Sequence, residues 1–398
     1  MQVIGSRART RRTTTTITVA GAVIAALLAM VVVALPASAG TTRPTSPSYY
    51  VRQILSGKNL GHWYTKAGSS KWHWERLSSP DDITIFGGDL FTTFQNGVGP
   101  QGQASTDGNR DSTIVEFTQG GQVMHKWDLR GKCDGLTANP ATGQVIATIN
   151  EDANSSLDSI DSWTGQVTHY QYSKQPLPHH GGTDAISFYD GHMLISASAP
   201  GTTGAAAPNP AYPAVYSVNL DPYNHVAYVH ALFYDESPAT AANGPQVGDS
   251  VKLGLTDPDS NEVVPTTAPM YAGDFMVTSQ GDKEQIYVHG PGTWYQHLTV
   301  LALSQSVDDT AWATSWRGTF FGASTSTDTI EAVSGTFWPG TAFVAVTPCD
   351  ANGAPATCPG PGYPPNYLGQ LNMYTGKITP VSLHGPSFEP QGMIFVAN

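Results

Sequence analysis

A turn-rich composition, a short phrase repeated at blade-length intervals, and a last copy too short to stand alone predict an all-β fold. The specific expectation is a six-bladed β-propeller whose last blade is closed by the N- and C-terminal strands. The chain has 398 residues, with 41 Gly and 29 Pro, and only 13% of residues are charged. Together Gly and Pro make up roughly 18%, against ~12% in average usage, and the charged fraction is about half the usual ~25%. Such a chain is short of the Glu, Lys and Arg that support helices, which excludes a helical bundle or coiled coil. Aromatic residues at 10% can build a core, so a structureless chain is excluded too.

The repeated phrase is Asp, a small or polar residue, then an aliphatic residue opening an apolar run. It occurs as Asp81-Asp82-Ile83, Asp134-Gly135-Leu136, Asp184-Ala185-Ile186, Asp249-Ser250-Val251 and Asp328-Thr329-Ile330, with Gln391-Gly392-Met393 as an amide version. A second phrase, strand–Gly turn–strand, follows in Val115 to Val123, Ile160 to Val167 and Leu371 to Ile378. Each unit thus reads as about four short strands joined by hairpins. The copies are spaced by 53, 50, 65, 79 and 63 residues, the length of a propeller blade; the 79-residue interval is long enough for a seventh blade. Only eight residues, Gln391 to Asn398, follow the start of the last copy. One strand cannot make a blade, so the segment from Ser46 to Pro80, with Tyr49-Tyr50-Val51 and Trp72 to Leu77, is expected to complete it. That closure removes open sheet edges.

The ends of the chain frame this domain. Arg7, Arg9, Arg11 and Arg12 precede an apolar run from Ile17 to Leu35 and the small-residue site Ala37-Ser38-Ala39. The pattern predicts a secretory signal peptide over 1–39, a Thr/Pro/Ser-rich linker over 40–48, and a single propeller domain over 49–398. The expected location is extracellular, with no membrane contact after cleavage. Four of the 19 basic and none of the 31 acidic residues lie in the signal, so its removal takes the net charge from −12 to −16. So acidic a protein repels phosphate backbones, which excludes nucleic acid as a partner. Cys349 and Cys358 bracket a turn-rich stretch, and a disulfide there fits an oxidising compartment. Cys133 is left as a small buried hydrophobe.

These phrases, with Thr-Gly-Gln/Lys-Val/Ile turns and the terminal Glu389-Pro390-Gln391-Gly392-Met393, resemble six-bladed propellers of the NHL, gluconolactonase (SMP-30) and virginiamycin B lyase superfamily. The resemblance covers most of the mature chain. It implies the fold, and it implies lactonase-, lyase- or hydrolase-like chemistry among the activities that such scaffolds host.

Blade-entering residues line the channel of a propeller, so Asp81, Asp134, Asp184, Asp249, Asp328 and Gln391 are expected to form a ring on one rim. Crowded carboxylates raise one another's pKa or recruit a cation; alternatively each Asp bonds its own tight turn. On loops approaching the same rim, His180, His384 and Glu389 are the acid/base candidates, and His179, Arg130 and Lys132 the ligand-binding ones. Asp257, Asp259 and Asn261 alternate as calcium ligands do, although the Gly of a calcium loop is missing. Calcium is therefore the expected cofactor. The aromatic cluster His62-Trp63-Tyr64 and Trp72-His73-Trp74 either packs in the core, the favoured reading, or stacks on sugars. No phosphate loop, dinucleotide fingerprint or nucleophile elbow occurs. Two functions follow: a metal-assisted hydrolase or lyase, lactonase-like, acting on a small neutral or cationic molecule, or a non-catalytic propeller holding an extracellular or envelope partner. A monomer is expected in either case.

Overall fold

Alternating apolar and polar residues between Gly- and Asn-bearing turns produce strands almost throughout. A computed structural model describes residues 48–398 except 205, 207, 209, 210 and 359. The expected signal peptide and all but the last residue of the expected linker lie outside the described residues. Ser46–Asn398 forms one compact unit.

The chain begins with β1 (Tyr49–Ser56), a 3-10 turn (Gly57–Asn59), and a hairpin of β2 (Gly61–Thr65) and β3 (Trp72–Arg76). Three antiparallel four-stranded units follow: β4 (Pro80–Phe86) to β5 (Asp89–Phe94), β6 (Asp111–Thr118) and β7 (Val123–Arg130); β8 (Cys133–Asn139) to β9 (Gln144–Ile149), β10 (Ser156–Asp161) and β11 (Val167–Tyr172); and β12 (Ile186–Tyr189) to β13 (His192–Ser196), β14 (Pro213–Asp221) and β15 (Val226–Tyr234). The outer strands β11 and β15 pair in parallel, fusing the second and third units into one sheet. The short β16 (Pro238–Ala241) and β17 (Ser250–Lys252) edge the fourth unit, which comprises β18 (Pro258–Val263), β19 (Phe275–Ser279), β20 (Glu284–His289) and β21 (His297–Ala302).

The last two units interleave. After β22 (Val307–Trp312) the chain makes β23 (Arg317–Ser324) and β24 (Thr329–Thr336), then β25 (Ala342–Val346), β26 (Tyr367–Leu371), β27 (Ile378–Pro380), β28 (Leu383–His384) and β29 (Met393–Ala397). The fifth unit is β22-β25-β26-β27, and the sixth is β29-β23-β24-β1 with β28 on its edge. Both chain ends therefore meet in one sheet: Phe395 lies opposite Phe320, and Val51 opposite Val333. The middle strands come from residues 317–336, however, and not from Trp72 to Leu77 as the sequence suggests. Once β29 covers one side of the β23–β24 hairpin and β1 the other, no edge remains for β3, which pairs only with β2.

Six apolar cores join consecutive units. Phe91 and Ile114 pack with Leu136 and Val145; Leu157 and Tyr170 with Ile195 and Tyr216; Val215 and Phe233 with Phe275 and Ile286. Met276 and Tyr287 then meet Val307 and Val344, Ala311 and Phe343 meet Phe320 and Met393, and Phe321 and Ile330 meet Leu90 and Phe117. This last core returns to the first unit. The molecule is thus a propeller, a closed ring of radially arranged sheets. Phe320, Phe343 and Tyr287 are almost wholly buried, and truncating such a side chain to Ala costs about 3–5 kcal/mol.

Candidate functional site

Four of the units start on the axis with the same local device. In β4, β8, β18 and β22 the ladder to the next strand is interrupted by a bulge at the acidic step, between Pro80 and Ile83, Cys133 and Leu136, Pro258 and Asn261, and Val307 and Thr310. A bulge re-aims side chains at the end of a strand. Asp81, Asp134, Asp184, Asp259, Asp308 and Gln391 all line one central cavity of about 690 Å³.

The position after each acid stitches neighbouring units together. Asp82 Oδ2 accepts from the Leu136 amide at 2.6 Å, and Asp309 Oδ2 from the Met393 amide at 2.6 Å. Ser260 Oγ, after Asp259, donates to the Asp308 carbonyl, and one residue further on Asn261 Nδ2 donates to the Ala185 carbonyl at 2.7 Å. Where no side chain links the units, backbones touch. A Cβ on Gly135 would lie 2.5 Å from the Asp184 carbonyl oxygen, and one on Gly392 2.5 Å from that of Asp81. Glycine is required there for close approach.

The cavity is intensely acidic. Asp81, Asp82, Asp134, Glu151, Asp152, Asp184, Asp257, Asp259, Glu262, Asp308, Asp309 and Asp350 all line it, and among the described residues Lys132 is the only lining cation. Burial, and then mutual repulsion, drive these carboxyls upward: Asp81 to about 7 and Glu151 to about 8, with Asp184, Asp259 and Asp308 well above the carboxylate range. Asp134 reaches only about 6, because Lys132 opposes the burial effect. Lys132 Nζ contacts Glu151 and lies 3.4 Å from Asp134 Oδ2. Burial works against its charge, but Asp134 and Glu151 outweigh that and raise its pKa well above the lysine value.

Within this well, Asp134, Glu151 and Asp184 bring three carboxylate oxygens within 4.8 Å of one another, close enough to hold one metal ion. An all-oxygen donor set suits calcium or magnesium rather than a softer metal. Asn261, 5% exposed, also lines the cavity, and its Oδ1 lacks a hydrogen-bond partner. A buried acceptor with no donor is costly.

The structure redistributes the other expected site residues. Asp249 is exposed in the β16–β17 edge hairpin, where its carbonyl accepts from Ala241. Asp328 sits in the β23–β24 turn at φ 59°, and its carboxylate accepts from the Ser79 amide. Neither reaches the rim; Asp257, Asp259, Asp308 and Asp309 occupy those places. Asp257 precedes β18, and Asp259 and Asn261 lie within that strand instead of in a calcium loop; Asn261 Nδ2 donates to the Ala185 carbonyl just before β12.

His179 is fully buried away from the well. Its Nε2 faces the Gly182 and Ser198 carbonyls, so it carries the proton, and Tyr216 Oη donates to Nδ1 at 2.8 Å. Burial lowers its pKa to about 4, which makes it a neutral core residue. His180, at φ 57°, bonds Thr203 outside the cavity. His384 lies on the outer edge strand, stacked on Tyr50 with ring centroids 5.3 Å apart. Glu389 is bonded by Ser326 and Ser387, and Arg130 pairs with Asp111 on the outer strand β7. The expected convergence of His179, His180, His384 and Glu389 does not occur. Among the described residues, no histidine lines the well.

Of the expected ligand-binding residues only Lys132 lies in the well. Glu151 comes from the turn after β9, a stretch that in sequence shows only as oxygen-rich. Asp308 and Asp309 escape the phrase because Thr310, not an aliphatic residue, follows them. The Cys349–Cys358 disulfide forms, and Cys133 is free and buried. Trp63, Trp72 and Trp74 are exposed, which corrects the core-packing expectation.

No protein-family model matches the chain, and no curated protein matches it. Several solved structures are similar in fold. A protein of unknown function from Bacteroides caccae is 10% identical, with a TM-score of 0.45, over 88% of this chain and 99% of that one. A streptogramin B lyase structure is 12% identical, with a TM-score of 0.41, over 87% and 91%. A putative 6-phosphogluconolactonase from Bacteroides uniformis is 11% identical, with a TM-score of 0.42, over 88% and 100%.

Proposed function

We propose that this protein is an exported propeller whose axial well takes up a divalent cation at Asp134, Glu151 and Asp184 and holds a small neutral or cationic molecule beside it. The observation that carries this reading is the set of three converging carboxylate oxygens in a cavity to whose lining the described residues bring twelve carboxyls and one lysine. Charges so crowded need protons or a cation to coexist, and an anionic ligand would be repelled. Calcium is the proposed ion. Its sites in extracellular modules are commonly weak, with Kd of about 10⁻⁴–10⁻³ M, which fits an exported chain.

A second reading adds turnover, as a lactonase-like hydrolase or a lyase. It is favoured by a carboxyl outside the ligand set that is poised near neutrality, Asp81 at about 7, since proton-transfer groups work best near the operating pH. A bound ion would polarise a substrate oxygen, and Asp81 would hold or accept the proton. The experiment is to strip the protein with chelator and then measure thermal stability and turnover on a lactone and ester panel, with and without calcium or magnesium. Stabilisation without turnover supports the binding reading, and restored turnover supports the catalytic one. No metal response in either measurement overturns both.

A further inference from the structure

The β2–β3 hairpin belongs to no blade, yet it is firmly held. Its inward face carries His62, Tyr64 and Glu75. His62 donates from both ring nitrogens, to Asp128 at 3.0 Å and to Glu75 at 2.9 Å, and Asn109 Nδ2 donates to the same Glu75 oxygen at 2.6 Å. Tyr64 donates to the Asp107 carbonyl and stacks on His62. Asp128 belongs to β7, so the hairpin is pinned to the first unit through buried polar bonds.

Its outward face is different. Trp63 lies directly opposite Trp74, and Trp72 is two residues along the same strand, so the three indoles share one face. They are 59%, 53% and 67% exposed. Exposed tryptophan clusters mark interaction surfaces. The Trp74 ring lies over Gly61, where a Cβ would come within 2.4 Å of it; glycine makes room for the indole to lie flat with its other face to solvent. The hairpin itself is basic. Residues 61–76 contain Lys66, Lys71 and Arg76 against the single, inward-facing Glu75, and the neighbouring Asp128 is bonded to the inward His62, in a chain where acids outnumber bases 31 to 19. Lys126 Nζ, from β7, bonds the Gly61 carbonyl beside the rings.

We propose that this face is a docking platform for an acidic polysaccharide, with Trp63, Trp72 and Trp74 stacking on sugar rings and Lys71, Arg76 and Lys126 pairing with its anionic groups. Indoles offer flat apolar faces, and lysine and arginine supply charge-assisted bonds to carboxylates. The hairpin tip, Lys66-Ala67-Gly68-Ser69-Ser70-Lys71, has no bulky apolar residue to enter a membrane. Duplex nucleic acid, with a charge every ~1.7 Å, would meet the acidic remainder of the surface.

The test uses the purified mature chain in chelator, which keeps the axial well out of the measurement. Tryptophan fluorescence is followed while polygalacturonate, neutral dextran, oligo-dT and phosphatidylglycerol vesicles are titrated separately. Expected are saturable binding of polygalacturonate in preference to the other three, weakening with salt, and at least a tenfold loss in Trp72→Ala/Trp74→Ala. A similar loss is expected in Lys71→Gln/Arg76→Gln, which leaves every ring in place. Trp163→Ala, an exposed tryptophan on another unit, should bind as the wild type does. Absence of polygalacturonate binding, equal or tighter binding of dextran, oligo-dT or vesicles, or unchanged affinity in both double variants of normal melting temperature would overturn the proposal.

Discussion

Replacing Asp257 by Asn removes one charge from the well while keeping the shape of the side chain. Burial, followed by repulsion from Glu151, Asp282 and Asp350, raises the Asp257 carboxyl to about 6 from an ordinary 3.8. A raised carboxyl binds its proton more tightly in the folded state. It therefore costs no stability below about pH 4; the penalty grows between about pH 4 and 6 and is complete above that. The rise from 3.8 to about 6, at ~1.36 kcal/mol for each tenfold change in proton affinity, gives about 3 kcal/mol as an upper bound; solvent screening of this half-buried group reduces it to about 1.5 kcal/mol. For a domain of about 350 residues, an unfolding entropy of ~2.1 cal/mol/K per residue converts this to about 2 °C. Scanning calorimetry of the chelated protein should find Asp257→Asn more stable than wild type by that amount at pH 8 and equal to it at pH 4. A variant less stable at pH 8, or equally stabilised at both pH values, would refute the picture of crowded charge.

Lys132→Met should destabilise the chelated protein by about 3 kcal/mol at neutral pH, since it leaves the charged Asp134 without its buried partner; the loss should shrink towards pH 5 as Asp134, at about 6, takes up its proton, as read by denaturant titration. Burial alone would lower the His62 pKa, but its bonds to Asp128 and Glu75 hold it at about 9. The stability that His62 contributes is therefore complete below pH 6.5 and is lost as pH rises through 9, so His62→Gln should flatten the alkaline limb of the stability–pH curve. Gly392→Ala, which would drive a Cβ to 2.5 Å from the Asp81 carbonyl oxygen, should cost about 1–3 kcal/mol, measured as a lower melting temperature.

The sheets and the closure were legible because turn spacing and alternation act locally, and because an eight-residue tail must borrow strands. Asp81, Asp134 and Asp184 could be found because a small or polar residue and then an aliphatic residue follow each. Asp249 and Asp328 satisfy the same phrase, but by serving hairpin turns, and a phrase of three residues does not distinguish a turn from a strand start. The interleaving of β23 and β24 into the neighbouring unit leaves no local trace, since each strand looks the same whichever sheet it joins. The histidines misled for a related reason. Chemistry-bearing side chains on loops take their direction from tertiary contacts such as the Tyr216 bond to His179, which sequence does not show.

Calorimetric titration of the chelated protein with calcium, beside Asp184→Asn and Glu151→Gln, weighs most directly on the well. The account predicts saturation near one ion per chain in the wild type, with a stabilisation of about 2.7 kcal/mol at a hundredfold excess over Kd, and loss of that heat in both variants. A wild type that takes up neither calcium nor magnesium, or variants that titrate as it does, would contradict it.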